Sequence, residues 1–160
     1  MQRIILVQLG SPKSPSVPDV REFLREFLLD PRISDLPRIF WWIILYFFIL
    51  PFRSPKSAKL YEKIWSNNCF PLVATSDLFA RKLEGIVGVP VDSVYRYGDR
   101  SISKLWERWD EECRPDKSES WLVVPMYPQF SECTTASVLD LFYQEGQKRC
   151  HLPEMRFINS

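Results

Sequence analysis

The feature that most limits how this chain can fold is the apolar run Trp121-Leu122-Val123-Val124-Pro125-Met126, together with the loop and helix after it. A short uncharged run rich in Val reads as a buried strand. Next comes Tyr127-Pro128-Gln129-Phe130-Ser131-Glu132-Cys133-Thr134-Thr135-Ala136-Ser137, a loop dense in hydroxyls, and then the helical stretch Val138-Leu139-Asp140-Leu141-Phe142-Tyr143. The alternation recurs along the chain. Arg3 to Leu9 is another buried-strand run, ended by Gly10-Ser11-Pro12. Asp19 is the expected N-cap of a helix through Leu29, with Val20, Phe23, Leu24, Phe27 and Leu28 on one face, and Pro31 ends it. Further helices are expected over Lys56 to Trp65, Ser76 to Gly85, Ser101 to Cys113 and Ser137 to Gly146. Further strands are expected over Val91 to Tyr97 and Leu122 to Tyr127, with a fourth starting at Arg156-Phe157-Ile158-Asn159. This order predicts an α/β fold, a doubly wound parallel sheet with helices on both faces and right-handed crossovers. Ligands of such sheets sit at the carboxyl ends of the strands, where loops and helix N-termini meet. The hydroxyl loop is therefore a candidate binding edge, although Ser and Thr also cap helices without binding anything.

A chain of 160 residues makes one domain with a core, burying roughly 70% of its unfolded surface. Its 46% hydrophobic and 26% charged residues place it among globular chains. A net charge of +1 and the absence of a basic block give no reason to expect nucleic acid. Cys69, Cys113, Cys133 and Cys150 include no C-x-x-C pair, so neither a zinc ribbon nor a ferredoxin-type cluster is supported. No secretion signal is apparent, and reduced thiols in a cytoplasmic protein are expected.

From Ile39 to Leu50 the chain reads Ile-Phe-Trp-Trp-Ile-Ile-Leu-Tyr-Phe-Phe-Ile-Leu, without a charge. It is too short to cross a bilayer, which needs about 20 apolar residues as a helix. Pro37 and Pro51 bracket it, and Arg38, Arg53, Lys56 and Lys59 flank it. Trp and Tyr beside basic residues suit a membrane–water interface. The other reading is a core helix, apolar all round because it is buried.

Several blocks in collinear order resemble the ferrochelatase family: Leu9-Gly10-Ser11-Pro12; Arg21 to Pro31; Pro55-Lys56-Ser57-Ala58-Lys59-Leu60-Tyr61-Glu62-Lys63-Ile64-Trp65; Arg96-Tyr97-Gly98; and Tyr127-Pro128-Gln129. The resemblance covers nearly all of the chain and matches the N-terminal half of such an enzyme. It implies a chelatase-like fold, with residues 1–160 as the first of two similar domains and 37–53 as the hydrophobic lip of a porphyrin pocket. The implied activity is a lyase reaction, insertion of Fe²⁺ into protoporphyrin IX to form haem, with no resident cofactor and iron as substrate. The implied partners are protoporphyrin IX, a membrane surface met through residues 39–50, and a C-terminal catalytic half or partner chain. The implied location is cytoplasmic, peripheral at the inner membrane face.

Metal insertion needs a pocket that holds the macrocycle, a base for two pyrrole protons and a route for Fe²⁺. A neutral His and a carboxylate suit the last two roles near pH 7. The family's Ser-x-His-Gly-Leu-Pro-like segment and later Glu do not occur here, and His151 lies in the turn Cys150-His151-Leu152-Pro153-Glu154. No catalytic or metal-ligating residue is therefore assigned within the chain. Substrate-binding residues implied by the resemblance are Leu9, Arg53, Tyr61, Arg96, Tyr97, Gln129, Ser131 and Thr134. Arg53 with Lys56 suits the propionates, Tyr61 lines the pocket, and Arg96-Tyr97 reaches the inner pocket. Leu9 approaches one macrocycle face. For each, the alternative is ordinary packing, a surface ion pair or a helix cap.

The chain departs from the family in two places. Cys69-Phe70-Pro71 replaces Gly-Ser-Pro, which would narrow the pocket, and Cys133 and Ala136 replace Ser and Gly in the hydroxyl loop. If that Gly needs a positive φ, Ala costs about 1 kcal/mol. Glu132 adds a carboxylate beside the site. Tyr-Pro-Gln-aromatic-Ser resembles users of protoporphyrin rather than coproporphyrin. Two rival readings are a non-catalytic tetrapyrrole-binding protein and a membrane-surface interaction domain. Homodimeric half-length chelatases need inward-facing histidines, for which the chain offers only His151.

Overall fold

The computed structural model describes residues 2–112 and 119–158. Strand β1 (Gln2–Gln8) leads to helix α1 (Val17–Leu28), then α2 (Arg38–Ile44), α3 (Leu50–Ile64) and α4 (Pro71–Val87). Strand β2 (Val91–Tyr95), helix α5 (Ile102–Glu112), strand β3 (Ser120–Pro125), helix α6 (Ser137–Gly146) and strand β4 (Glu154–Phe157) complete the order. The four strands form one parallel sheet in the order β2-β1-β3-β4, with Ile4 of β1 opposite Val91 of β2 and Leu122 of β3. The chain moves from β1 to one side, then crosses back past β1 to β3. The strand order thus reverses between β1 and β3, the place where such sheets open a crevice.

The expected architecture is present, with shifted boundaries that have local causes. Helix α1 is capped by Ser16, whose Oγ accepts the Asp19 N–H at 3.3 Å, so Asp19 is a first-turn residue and not the cap. A carboxylate there still favours the helix dipole. Helix α4 starts at Pro71, whose ring presets φ at the first helical position. It ends on Gly88 in the left-handed region at φ 69°. Strand β2 stops at Tyr95, but its backbone stays beside the end of β1, the Arg96 N–H donating to Gln8 and the Tyr97 N–H to Leu9. Cys113 and Asn159, at the ends of an expected helix and strand, lie outside the described residues.

One face of the sheet carries the main core. Ile5, Val7, Val94, Trp121 and Val123 pack against Ile102, Leu105, Trp106 and Trp109 of α5 and Val138 and Phe142 of α6. The Trp106 ring lies 4.8 Å from Trp121 and 5.6 Å from Trp109, so three indoles supply much of the buried apolar area. A second cluster joins Val20, Leu24 and Leu28 of α1 to Leu45, Leu50 and Ala58.

Residues 38–64 form one continuous helical stretch, with a wider π-helical turn over Leu45–Ile49 joining α2 to α3. The turn ends just before Pro51, which has no N–H to donate to an α-helical ladder. Helix α3 is therefore longer than the Lys56 to Trp65 segment expected from spacing alone. The core-helix reading of 39–50 is not met. Ile39 is 75% exposed and Phe40, Phe47 and Phe48 are each above 60%. Only Leu45 and Leu50 are buried, and the Trp41 Nε1–H donates to the Leu28 carbonyl at 2.6 Å. The segment is thus pinned to α1 along one edge and bares its rings on the other.

Candidate functional site

Three loops meet at the carboxyl ends of β1, β2 and β3, and backbone bonds knit the first two together. The Arg96 N–H donates to the Gln8 carbonyl at 2.8 Å and the Tyr97 N–H to the Leu9 carbonyl at 3.1 Å. This approach requires Gly10: its φ is +105°, and a Cβ there would lie 2.2 Å from the Tyr97 carbonyl oxygen. Leu9, expected at the macrocycle face, thus fixes the β2 exit through its backbone while its side chain is half-buried.

Arg96 and Tyr97 are drawn together by a residue that sequence reading missed. The Arg96 Nη2–H and the Tyr97 hydroxyl each donate to Asp30 Oδ2 at 2.6 Å, and the Ser137 hydroxyl donates to the same oxygen. Arg96 Nε–H also donates to Ser137 Oγ at 2.7 Å, and the Arg32 N–H donates to Asp30 Oδ1 at 2.8 Å. Burial pushes the Asp30 carboxyl up. Hydrogen bonds from Ser137, Tyr97 and the Arg32 N–H, with the Arg96 charge, outweigh it and hold the group below the usual carboxylate range. Burial, then the Asp30 hydrogen bond, raises the Tyr97 phenol well above its ordinary value. Burial also pushes Tyr127, at the β3 exit, up to about 12, with the Arg96 charge opposing. Tyr97 is buried, with Phe27 edge-on at 5.4 Å and the Arg96 guanidinium 4.6 Å from its ring centre.

The hydroxyl loop enters α6 through a π-helical turn over Glu132–Ala136. Ser131 Oγ and Thr134 Oγ1 are 2.6 Å apart and bonded to each other, so neither hydroxyl serves as a side-chain helix cap. Gln129 is exposed beside them. Ala136 adopts φ −68°, ordinary helical backbone, so the cost expected for replacing Gly does not arise here.

On α3, Arg53 is exposed and Tyr61, two turns on, is half-buried. Burial raises the Tyr61 phenol and the Arg53 charge opposes it. The Tyr61 ring meets Phe23 of α1 at 6.4 Å and Phe70 at 5.4 Å, and Phe70 meets Trp65 at 4.5 Å. Phe70 is buried, with its ring against Tyr61. Asn67 and Asn68, both at positive φ, make the turn that returns the chain to Phe70.

The expected site residues fall into three groups: Leu9, Arg96 and Tyr97 joined by backbone and Asp30; Gln129, Ser131 and Thr134 on the β3 loop; Arg53 and Tyr61 on α3. Ser137 ties the second group to the first. Aromatic contacts from Tyr61 through Phe23, and from Phe27 to Tyr97, connect α3 to the β2 exit by way of α1. His151 lies on an exposed loop, as expected, and no cluster of His, Cys, Asp or Glu among the described residues fits a metal. No described helix is long and apolar enough to cross a membrane. A cleft of about 740 Å³ between α4, β2 and α5 holds none of the expected residues; its Arg100, Lys104 and Arg108 already face Asp77, Asp99 and Asp92.

The profile of the family described as Ferrochelatase matches residues 2–160. A ferrochelatase of Herminiimonas arsenicoxydans is 41% identical over 160 residues, which is 97% of this chain and 42% of the relative. A ferrochelatase of Photobacterium profundum is 41% identical, covering 98% and 47%, and one of Aromatoleum aromaticum is 40% identical, covering 98% and 44%. The chain spans less than half the length of these curated relatives. With a four-stranded parallel sheet whose loops carry the family's blocks in order, the chain belongs to the ferrochelatase family.

Proposed function

We propose that this chain is the porphyrin-binding N-terminal half of a ferrochelatase, a lyase that inserts Fe²⁺ into protoporphyrin IX to form haem. The observation that carries the reading is the family match running unbroken over residues 2–160. The chemistry of the residues agrees with it. A porphyrin is an apolar disc with two anionic propionates, so it needs aromatic walls and cations at one rim. Tyr61 and Leu9 suit the walls, and Arg53 with Lys56 suits the propionates. Arg96 and Tyr97 suit the inner edge, with Gln129, Ser131 and Thr134 along the loop after β3. The base that accepts the pyrrole protons and the group that handles iron belong, in this reading, to the C-terminal half of the enzyme, as a continuation of the chain or a partner.

The aromatic stretch of residues 39–50 acts as the lip of the pocket and docks on the cytoplasmic face of a membrane. Its exposed rings beside Arg38, Arg53, Lys56 and Lys59 support this. The same exposure favours a second reading, a membrane-docking domain that binds no tetrapyrrole. Titrating the purified chain with protoporphyrin IX, then adding Fe²⁺ under reducing conditions, separates the two. Porphyrin uptake without metalloporphyrin absorbance is the expected result. No uptake, with retained liposome binding, overturns the porphyrin reading, and metal insertion overturns the assignment of the catalytic groups to the other half.

A further inference from the structure

Just past α1, Asp30 carries a buried carboxylate whose partners lie 66, 67 and 107 residues away on two other segments. Its side chain ties the α1 exit, the β2 exit and the start of α6 to one another. A second tie runs parallel to it, from Arg32 to both oxygens of Asp140 on α6, but that pair is exposed. Arg96 gives its Nε–H to Ser137 and its Nη2–H to Asp30, and its Nη1 has no hydrogen-bond partner among the described residues. Two of its three nitrogens are therefore fixed, and the third is aimed by them. Without the carboxylate, the guanidinium would keep its charge and lose its orientation.

We infer that Asp30 is a positioning residue for the porphyrin site: it holds Arg96 in the orientation in which that side chain meets the macrocycle. The inference rests on the porphyrin-half reading above. Asp30 itself touches no ligand. It acts through Arg96, and the Ser137 hydroxyl between them makes the arrangement a triangle rather than a lone ion pair. Such a triangle resists rotation of either partner, which is what orienting a substrate requires.

The test uses Asp30→Asn, Arg96→Gln and the double variant, each followed by protoporphyrin IX titration and by thermal melting. Each single variant is expected to weaken binding at least tenfold. The double variant is expected to bind no more weakly than Arg96→Gln alone, because Asp30 acts only through that side chain. Its melting point should nonetheless exceed that of either single variant, since no buried charge is left unpaired. A merely structural Asp30 gives the opposite pattern, with binding recovering in step with the melting point, and that result overturns the inference. Unchanged affinity in Asp30→Asn, or strictly additive losses, also overturn it. Should Asp30→Asn not fold, Ser137→Ala loosens the same triangle, and a threefold to tenfold loss is expected. If the wild-type chain takes up no porphyrin, the porphyrin-half reading fails, and the clamp is judged by hydrogen exchange in Ser137→Ala. Faster exchange at residues 96–98 with residues 104–109 unchanged upholds the clamp, and no difference overturns it.

Discussion

The carboxyl edge of the sheet and the aromatic helix over residues 38–52 solve opposite problems. At the sheet edge, polar groups are buried and bonded to one another: Asp30 is 6% exposed and accepts four hydrogen bonds. On the helix, apolar groups are exposed, with Phe52 at 67% and Trp42 at 49%. Each arrangement opposes the usual partition of apolar inside and polar outside. Buried polar groups that bond to one another resist reorientation, so the Asp30 contacts produce rigidity. An exposed apolar stripe costs solubility and gains from being covered, so it produces docking. A porphyrin needs a rigid edge to orient it and an apolar rim to enter by.

The contrast breaks most severely at its rigid end. Asp30→Ala leaves the Arg96 charge without its buried partner, and a loss of about 3–5 kcal/mol is expected. Chemical denaturation checks this, and a loss under about 1 kcal/mol would mean that the edge is solvated. Gly10→Ala is expected to cost about 2 kcal/mol or more, because φ is +105° and the new methyl meets the Tyr97 carbonyl. The β1 and β2 exits should separate, seen as faster amide exchange at Arg96 and Tyr97.

Acid and alkali attack the same edge in different directions. Asp30 is held below its ordinary range, so its contribution is present above about pH 4 and is lost as pH falls through the lowered native value. Tyr127, raised to about 12, contributes fully below pH ~10 and loses its contribution between there and 12, where the unfolded phenol ionises first. Thermal melts from pH 2 to 12 should therefore fall at both ends, and Tyr127→Phe should flatten the alkaline limb.

How much of this was legible in the sequence differs between the two regions. Strands β1 and β3 could be read from apolar runs, and α5 from Ile102, Leu105, Trp106 and Trp109 at helical spacing. Arg96 and Tyr97 could be found through family resemblance. Asp30 could not, because its partners are remote in sequence and a lone Asp before Pro31 reads as a helix stop. The aromatic segment was legible as apolar, but periodicity cannot tell a buried helix from an exposed one. Its orientation follows from Trp41 bonding to Leu28, a tertiary contact. The same contact decides the mildest substitution. Trp41 anchors the helix, so Trp42→Ser with Phe47→Ser is the clean probe of docking. Stability should change by less than about 1 kcal/mol, because both rings are exposed. Sedimentation with anionic liposomes should drop several-fold, and unchanged sedimentation would remove docking from the account.

The most direct measurement is the hydrogen-exchange footprint of protoporphyrin IX on the wild-type chain. Slower exchange is expected at residues 8–12, 96–98 and 129–137, with α5 and the cleft beside Asp77 and Arg81 unchanged. Slowing confined to residues 38–52, or to that cleft, would contradict that expectation and place the macrocycle away from the sheet edge.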